Sequence, residues 1–130
     1  MLIYVGKKEE IGNCSIFVII PQDESHERAE MIPLRHVVYH SPDGLQWGYG
    51  GSGPADTALS ILYDYFLRQG KNPQQARKIA DNLHQDFKWR FIAPITPVAI
   101  DEEGEEAGGN LCIFCKDIEK WLQTENLKSY

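Results

Sequence analysis

The sequence predicts an α+β fold in a single domain over residues 1–130: an antiparallel sheet of about five strands, two main helices packed on one face, and a short C-terminal helix. Two observations predict it. β-branched and aromatic runs are separated by turn residues, and two central segments carry apolar residues at helical spacing. Hydrophobic residues make up 42% of the chain, which is enough for one core without disulfides or metal ions.

The first two strands are predicted from apolar runs. Residues 2–5 and 14–20 are rich in Ile, Val, Tyr and Phe and are separated by glycine-containing turns. The polar residues 22–30 that follow predict a loop or a short exposed helix.

A hairpin is predicted in the middle of the chain. Residues 35–40 and 45–49 are strand-like and flank Ser41-Pro42-Asp43-Gly44. Proline presets φ in such a turn and glycine accepts a positive φ, so the two strands should return on each other.

Two helices follow the hairpin. The first should begin near Pro54, run to about Arg68 and be terminated by Gly70. It should bury one face, which consists of Ala58, Ile61, Leu62, Tyr65 and Phe66. The second should be capped by Asn72, with Pro73 at the first helical position and Gln75 completing a capping box. Its buried face should consist of Ala76, Ile79, Ala80, Leu83 and Phe87.

The last third of the chain predicts two more strands and a helix. Residues 87–93 alternate apolar and polar side chains, which indicates a half-buried strand. Residues 101–110 are acidic and glycine-rich and predict a solvated loop. Residues 111–115 predict a short strand, and residues 117–122 a final helical turn or two.

Charge and cysteine usage narrow the class of function. The net charge is −6, whereas proteins that grip phosphate backbones need a positive field, so nucleic-acid binding is not expected. Three cysteines in a domain that can fold unaided indicate a reduced, cytoplasmic setting. No segment has the length of a signal peptide or of a membrane span, and we expect no contact with a membrane.

The glycine-rich segment 47–54, Trp-Gly-Tyr-Gly-Gly-Ser-Gly-Pro, is the sharpest feature of the sequence. It leads from a predicted strand into a helix start, where unpaired N–H groups and the helix dipole favour an anion. Two aromatic residues in it offer rings for stacking on a base, and His40 approaches its mouth. The residues of this candidate ligand site are His40, Trp47, Tyr49, Gly50, Gly51, Ser52 and Gly53.

The same segment does not match a named phosphate-binding motif. The lysine of a P-loop is absent, and Gly48, Gly50 and Gly53 give Gly-x-Gly-x-x-Gly without an acidic residue at a later strand end. Asp56 could cap the free N–H groups itself. A tight strand-to-helix turn capped by Ser52 or Asp56 is therefore the structural alternative to a ligand site.

The segment also resembles an uncharacterised family of small proteins from bacteria, phages and mobile elements. The block from His40 to Asp56 carries the resemblance, with further matches at 58–59, 61–62, 85–88 and 118–122, so that it covers about residues 37–122. The resemblance implies no activity, cofactor or catalytic residue. It implies a genomic setting in which accessory and counter-defence proteins are common.

Two other residue patterns give weaker indications of function. Cys112-Ile-Phe-Cys115 lacks a second pair for zinc and is better explained as part of a core strand. Lys88 and Arg90 alternate with aromatic residues, a pattern that suits single-stranded nucleic acid but more often marks the outer face of a strand.

Three functions remain open at the level of sequence. The first is a non-enzymatic accessory protein that binds an anionic ligand, such as a nucleotide, at the glycine-rich segment. The second is a protein-interaction module that inhibits a host complex, such as a defence complex. The third is a hydrolase that uses Ser52 or His40, although the hydrolase Gly-x-Ser-x-Gly elbow is not matched. No cofactor, metal site or oligomeric state is indicated.

Overall fold

The fold is α+β, with one antiparallel sheet packed against helices. The computed structural model describes residues 2–8, 14–21, 29–40, 44–95, 98–100 and 106–124. Its strands are β1 Ile3–Lys8, β2 Cys14–Pro21, β3 Ala29–Pro33, β4 Val98–Ile100, β5 Glu106–Gly108 and β6 Leu111–Phe114. Its helices are α1 Ser52–Arg68, α2 Pro73–Phe87 and α3 Cys115–Thr124, and a π-helical turn at Lys88–Ile92 extends α2.

The main sheet has four strands in the order β3-β2-β1-β6, and every neighbouring pair is antiparallel. β4 and β5 form a separate two-stranded ladder. The prediction of five strands in one sheet is not confirmed. β3 begins at Ala29, inside the segment predicted as a loop or helix; residues 22–28 of that segment lie outside the described part of the chain.

α1 lies at the centre of the molecule. Every residue from Gly53 to Leu62 is buried, so this helix is enclosed on all sides over its first half. The sheet contributes Tyr4, Val18 and Leu111 to the same hydrophobic core. Each large apolar side chain of such a core stabilises the fold by about 1.5–3 kcal/mol.

The two predicted helical faces are confirmed. All five apolar residues of each face are buried. The capping box at the start of α2 is present: Gln75 N–H donates to Asn72 Oδ1 at 2.8 Å, and the Gln75 side chain accepts from Asn72 N–H. α1 ends where expected, because Gly70 has φ +94° and Lys71 N–H donates to the carbonyl of Phe66 at 3.0 Å.

The predicted hairpin is wrong. Residues 35–40 and 44–49 form no strand, although Gly44 has the positive φ expected of a turn. Their backbone groups bond to side chains of α1 instead of to each other: Val37 N–H donates to Ser60 Oγ at 2.9 Å, and Gln46 N–H donates to Thr57 Oγ1 at 2.9 Å. Residues 41–43 of the turn lie outside the described residues.

The strand predicted at 87–93 is also wrong, because α2 continues into the π-helical turn. Ala93 N–H donates to the carbonyl of Lys88 at 2.8 Å, the spacing of five residues that defines such a turn. Phe87 and Phe91 therefore share a helical face, with ring centroids 4.7 Å apart, and both contact Trp121 of α3.

Tyr4 links the sheet to α1 through a polar contact inside the core. Its hydroxyl, fully buried, donates to Asp64 Oδ2 at 2.8 Å, and Arg68 Nε donates to the same oxygen at 2.8 Å. Burial, and then the negative charge of Asp64, raise the pKa of Tyr4 well above its usual range. The hydroxyl thus stays protonated and acts as a donor.

Among the described residues, none of the helices combines the length and the apolar character that crossing a membrane requires.

Gly6 should be intolerant of substitution. A Cβ there would lie 2.8 Å from the ring of the buried Trp47 and 3.1 Å from Ile16 and Leu111. We expect Gly6→Ala to lower the free energy of unfolding by about 1–3 kcal/mol, because no neighbour can move aside. Urea denaturation measures it, with Gly50→Ala as the matched control.

The control substitution Gly50→Ala should change the free energy of unfolding by less than about 0.5 kcal/mol. The group that a Cβ at Gly50 meets is the tip of an exposed tryptophan ring, which can swing into solvent. Equal effects of the two substitutions would contradict the packing described for Gly6.

Candidate functional site

Side chains of the same chain pack directly against the glycines of the glycine-rich segment. Cβ atoms at Gly50 and Gly51 would run into the rings of Trp89 and Tyr49, respectively, the latter at 2.6 Å. A Cβ at Gly53 would lie 2.7 Å from the Gln46 side chain and 3.1 Å from the Tyr49 hydroxyl. These three glycines therefore make room for neighbouring side chains of the same chain.

The aromatic residues of the segment differ in exposure. Trp47 is fully buried, and its Nε1–H donates to the carbonyl of Gly109 at 2.8 Å. Tyr49 is 49% exposed and Trp89, contributed by the π-helical turn, is 60% exposed. Lys88 Nζ bonds to the carbonyl of Gly50 at 3.3 Å and lies 4.5 Å from the Trp89 ring centroid.

α1 begins without a side-chain cap. Gly51 is the N-cap residue and forms no side-chain cap hydrogen bond, Ser52 is exposed, and the first turn holds no acidic side chain. The expectation that Ser52 or Asp56 caps the helix is wrong, because Asp56 lies one turn further on and is bonded elsewhere.

Asp56 holds residues 36–40 against α1. It is fully buried and accepts hydrogen bonds from His40 N–H at 2.7 Å, from Tyr39 N–H at 3.2 Å and from His36 Nε2 at 2.9 Å. A buried carboxylate needs such partners to offset the loss of its hydration. Asp56 therefore fixes the backbone that carries His40.

His40 meets α2 rather than the glycine-rich segment directly. Its Nε2 lies 3.1 Å from Nε2 of His84, and the two rings are nearly parallel, at 23°. His84 Nδ1 donates to the carbonyl of Asp81 at 2.7 Å. His84 lies on α2 and Lys88, four residues later, begins the π-helical turn that extends it, so this continuous helix contacts both His40 and Gly50.

No hydrogen bond within the described ranges joins Ser52 to His40. The ring of His40 bonds to His84, and the imidazole of His36 bonds to Asp56. The hydrolase arrangement imagined from the sequence therefore has no preformed hydrogen-bond chain here.

Neither the cysteine pair nor the basic residues of the 87–93 segment form the sites considered from the sequence. Cys112 is exposed on β6 and Cys115 begins α3; both are free thiols. Among the described residues, no three His, Cys, Asp or Glu side chains are close enough together to hold a metal ion. Lys88 is buried and Arg90 exposed, so these two side chains do not share an outer strand face.

A larger feature that the sequence did not single out is the outer face of the main sheet. Side chains alternate along a strand, so the buried residues of each strand mark the inner face, and their neighbours point outward. Two rows of outward side chains cross all four strands in register. The outer sheet face consists of Met31, Ile19, Ile3 and Phe114 in one row and Pro33, Phe17, Val5 and Cys112 in the other.

None of these eight residues is charged, and none belongs to the core cluster or to the residues packed against it. Met31, Pro33 and Cys112 are exposed, and the other five are partly exposed. An antiparallel sheet with one solvated face normally carries polar residues there. The signal was present in the sequence: residues 16–20, Ile-Phe-Val-Ile-Ile, are apolar without alternation, as in a strand buried on both faces.

Comparison with known proteins places the chain in a family. The model of one family, described as a family of unknown function (DUF6166), matches residues 4–124. The chain belongs to this family. The match includes the glycine-rich segment, both histidines of the His40–His84 contact and seven of the eight residues of the outer sheet face. No curated protein and no solved structure matches the chain.

The role of Asp56 gives a stability prediction. Asp56→Ala should lower the free energy of unfolding by about 3–5 kcal/mol, because it removes the buried acceptor shared by the N–H groups of Tyr39 and His40 and the His36 ring. Asp56→Asn, which keeps one carbonyl oxygen, should cost less. Chemical denaturation measures both.

Asp86, an exposed residue of α2, supplies the control: Asp86→Ala should change stability by less than about 0.5 kcal/mol. Amide hydrogen exchange locates the effect. If the amides of Tyr39 and His40 kept their protection in Asp56→Ala while the amides of α1 lost theirs, the assigned hydrogen bonds would be wrong.

Proposed function

We propose that the protein is a non-enzymatic protein-interaction module whose contact surface is the outer sheet face. The observation that supports this is the uncharged, apolar character of eight side chains in two cross-strand rows. Contiguous apolar surface of this kind on a soluble domain marks a binding site for another protein.

The size of the face suggests the form of the partner. Four strands about 4.8 Å apart, with two rows about 7 Å apart, give a patch about 19 Å by about 14 Å. An amphipathic helix of about 13 residues is also about 19 Å long. A helix covering the second face of a sheet is the usual way to bury it. We therefore propose an amphipathic helix of a partner protein as the occupant.

The absence of charge on the face bears on specificity. A partner helix that placed a carboxylate or ammonium group against Ile3 or Ile19 would leave it desolvated without a counter-charge, which is costly. Lys7, two residues beyond Val5 on the same side of β1, marks the edge of the uncharged patch. The partner's contacting stripe should therefore be uncharged. The resemblance to proteins of phages and mobile elements makes a host complex, including a defence complex, the proposed source of that helix.

Photocrosslinking tests this proposal. A benzophenone amino acid in place of Phe17, at the centre of the face, should crosslink to a partner peptide that is helical with an uncharged stripe. The same group in place of Glu119, exposed on α3, should not capture that peptide. Phe17→Thr should weaken the purified complex at least about tenfold while leaving the melting temperature within a few degrees.

Two outcomes would reject it. Unimpaired binding of the partner by Phe17→Thr would remove the outer sheet face from the interface. A stable homodimer of the wild-type chain that Phe17→Thr converts to a monomer, measured by light scattering after size exclusion, would assign the face to a second copy.

A second proposal concerns an anionic ligand at the glycine-rich segment. The uncapped start of α1 favours it, since the first N–H groups of a helix attract an anion and no acidic side chain of the first turn competes. Lys88 adds a positive charge beside Gly50, and the exposed rings of Tyr49 and Trp89 border the same place. Binding would require the Tyr49 ring to move from its position over Gly51 and Gly53.

Titration with phosphate, AMP, ADP and ATP tests the second proposal. Binding should shift the amide NMR signals of Ser52 and Gly53, and Gly51→Val should abolish the shift because its side chain fills the place that the Tyr49 ring must vacate for the anion. Lys120→Met, on an exposed position of α3, is the control and should leave the shift intact. An absence of amide shifts with all four anions rejects this proposal and leaves the first one untouched.

A further inference from the structure

The His40–His84 contact has the composition of a metal site in which the protein supplies two ligands. The two Nε2 atoms face each other at 3.1 Å across the gap between residues 36–40 and α2. Metal–nitrogen bonds of about 2.0–2.1 Å place two ligand nitrogens about 2.9–3.4 Å apart when the N–metal–N angle lies between about 90° and 110°. The observed separation falls within that range.

The tautomer of His84 is fixed in the form that a metal needs. A carbonyl oxygen can only accept, so the 2.7 Å contact with Asp81 places the proton of neutral His84 on Nδ1. Nε2 of His84 then carries an unprotonated lone pair on the side that faces His40. A ring N–H bonded to a backbone carbonyl is the support commonly found behind metal-binding histidines.

His40 is held by its backbone and free to adjust its ring. Its N–H is anchored to the buried Asp56 at 2.7 Å, while its side chain is exposed at the surface. Without a metal, His40 donates a proton from Nε2 to Nε2 of His84. On binding, that proton moves to Nδ1 of His40, the ring turns, and both lone pairs point at the ion, so no proton is lost.

The charges around the pair do not oppose a cation. Asp56 lies beneath the backbone of His40, and Asp81 follows on the neighbouring turn of α2. Arg77 is engaged by Asp81 at 3.0 Å and by the Tyr39 ring at 5.5 Å, and Lys88 is bonded to Gly50. These two cationic side chains therefore have partners of their own.

We propose that His40 and His84 bind a divalent transition-metal ion, with Cu²⁺ favoured over Zn²⁺. Imidazole suits copper, nickel and zinc, and the general affinity order places Cu²⁺ highest. The Gln85 amide lies 3.3 Å from Nε2 of His84, and half a turn of that amide presents its oxygen as a third ligand. Water fills the remaining positions, so affinity should be below that of closed four-ligand structural zinc sites.

The test uses the full chain after removal of metals with EDTA. Calorimetric titration with CuCl₂ and, separately, ZnCl₂ should give one ion per chain, and excess Cu²⁺ should raise the melting temperature by about 2–5 °C. His40→Gln and His84→Gln should each weaken binding at least about tenfold. His36→Gln removes an imidazole from the same segment but keeps a donor for Asp56, and it should bind as the wild type does.

Each other result overturns the proposal. Absence of binding by the wild type leaves the pair as a hydrogen bond only. Wild-type affinity in both His40→Gln and His84→Gln places the metal at another position. Loss of binding in His36→Gln with retention in His40→Gln moves the site to His36. NMR signals of the two imidazoles, broadened by Cu²⁺ before any other signal, give a readout that is independent of folding.

Discussion

Three polar side chains on the buried helix α1 determine how the chain is arranged around it. Asp56, Thr57 and Ser60 are enclosed by protein, and each is bonded to the backbone of a segment that has no strand to pair with. Buried backbone groups must be paired, and these side chains supply the partners that a second sheet would otherwise provide. The central helix thus replaces a hairpin as the support for residues 36–40 and 46–51.

This arrangement explains why the site residues come together where they do. Asp56 positions the backbone of His40, and Thr57 bonds both the N–H and the carbonyl of Gln46, close to the glycine-rich segment. α2 then closes the other side, with His84 against His40 and Lys88 against Gly50. His40 and Gly50 are therefore held against helices on two sides rather than carried on independent loops.

Elements that depend on local sequence signals could be predicted. Predictions were wrong where the hydrogen-bond partner of a segment lies far away in the sequence. Helical spacing and a capping box are local, and α1 and α2 were predicted nearly to their bounds. Residues 35–40 have strand-like composition, yet their hydrogen bonds go to α1, which no local pattern shows. Residues 87–93 alternate in polarity as a half-buried strand would. They instead continue α2 as a π-helical turn, which contains one more residue than an α-helical turn.

The candidate sites divide in the same way. The glycines of 50–53 could be recognised in the sequence, but not why glycine is needed there. The ring that packs on Gly50 belongs to Trp89, which lies on another element. The outer sheet face required the register of four strands, although the unbroken apolar run at 16–20 pointed to it. The His40–His84 contact joins residues 44 positions apart and had no signal in the spacing of the chain.

The packing of Trp89 on Gly50 has an optical consequence. The chain contains three tryptophans, of which Trp47 and Trp121 are buried while Trp89 is 60% exposed. The fluorescence accessible to an aqueous quencher should therefore come mainly from one indole, and that indole lies against the glycine-rich segment. The protein carries its own spectroscopic reporter beside the start of α1, and events there can be followed without attaching a dye.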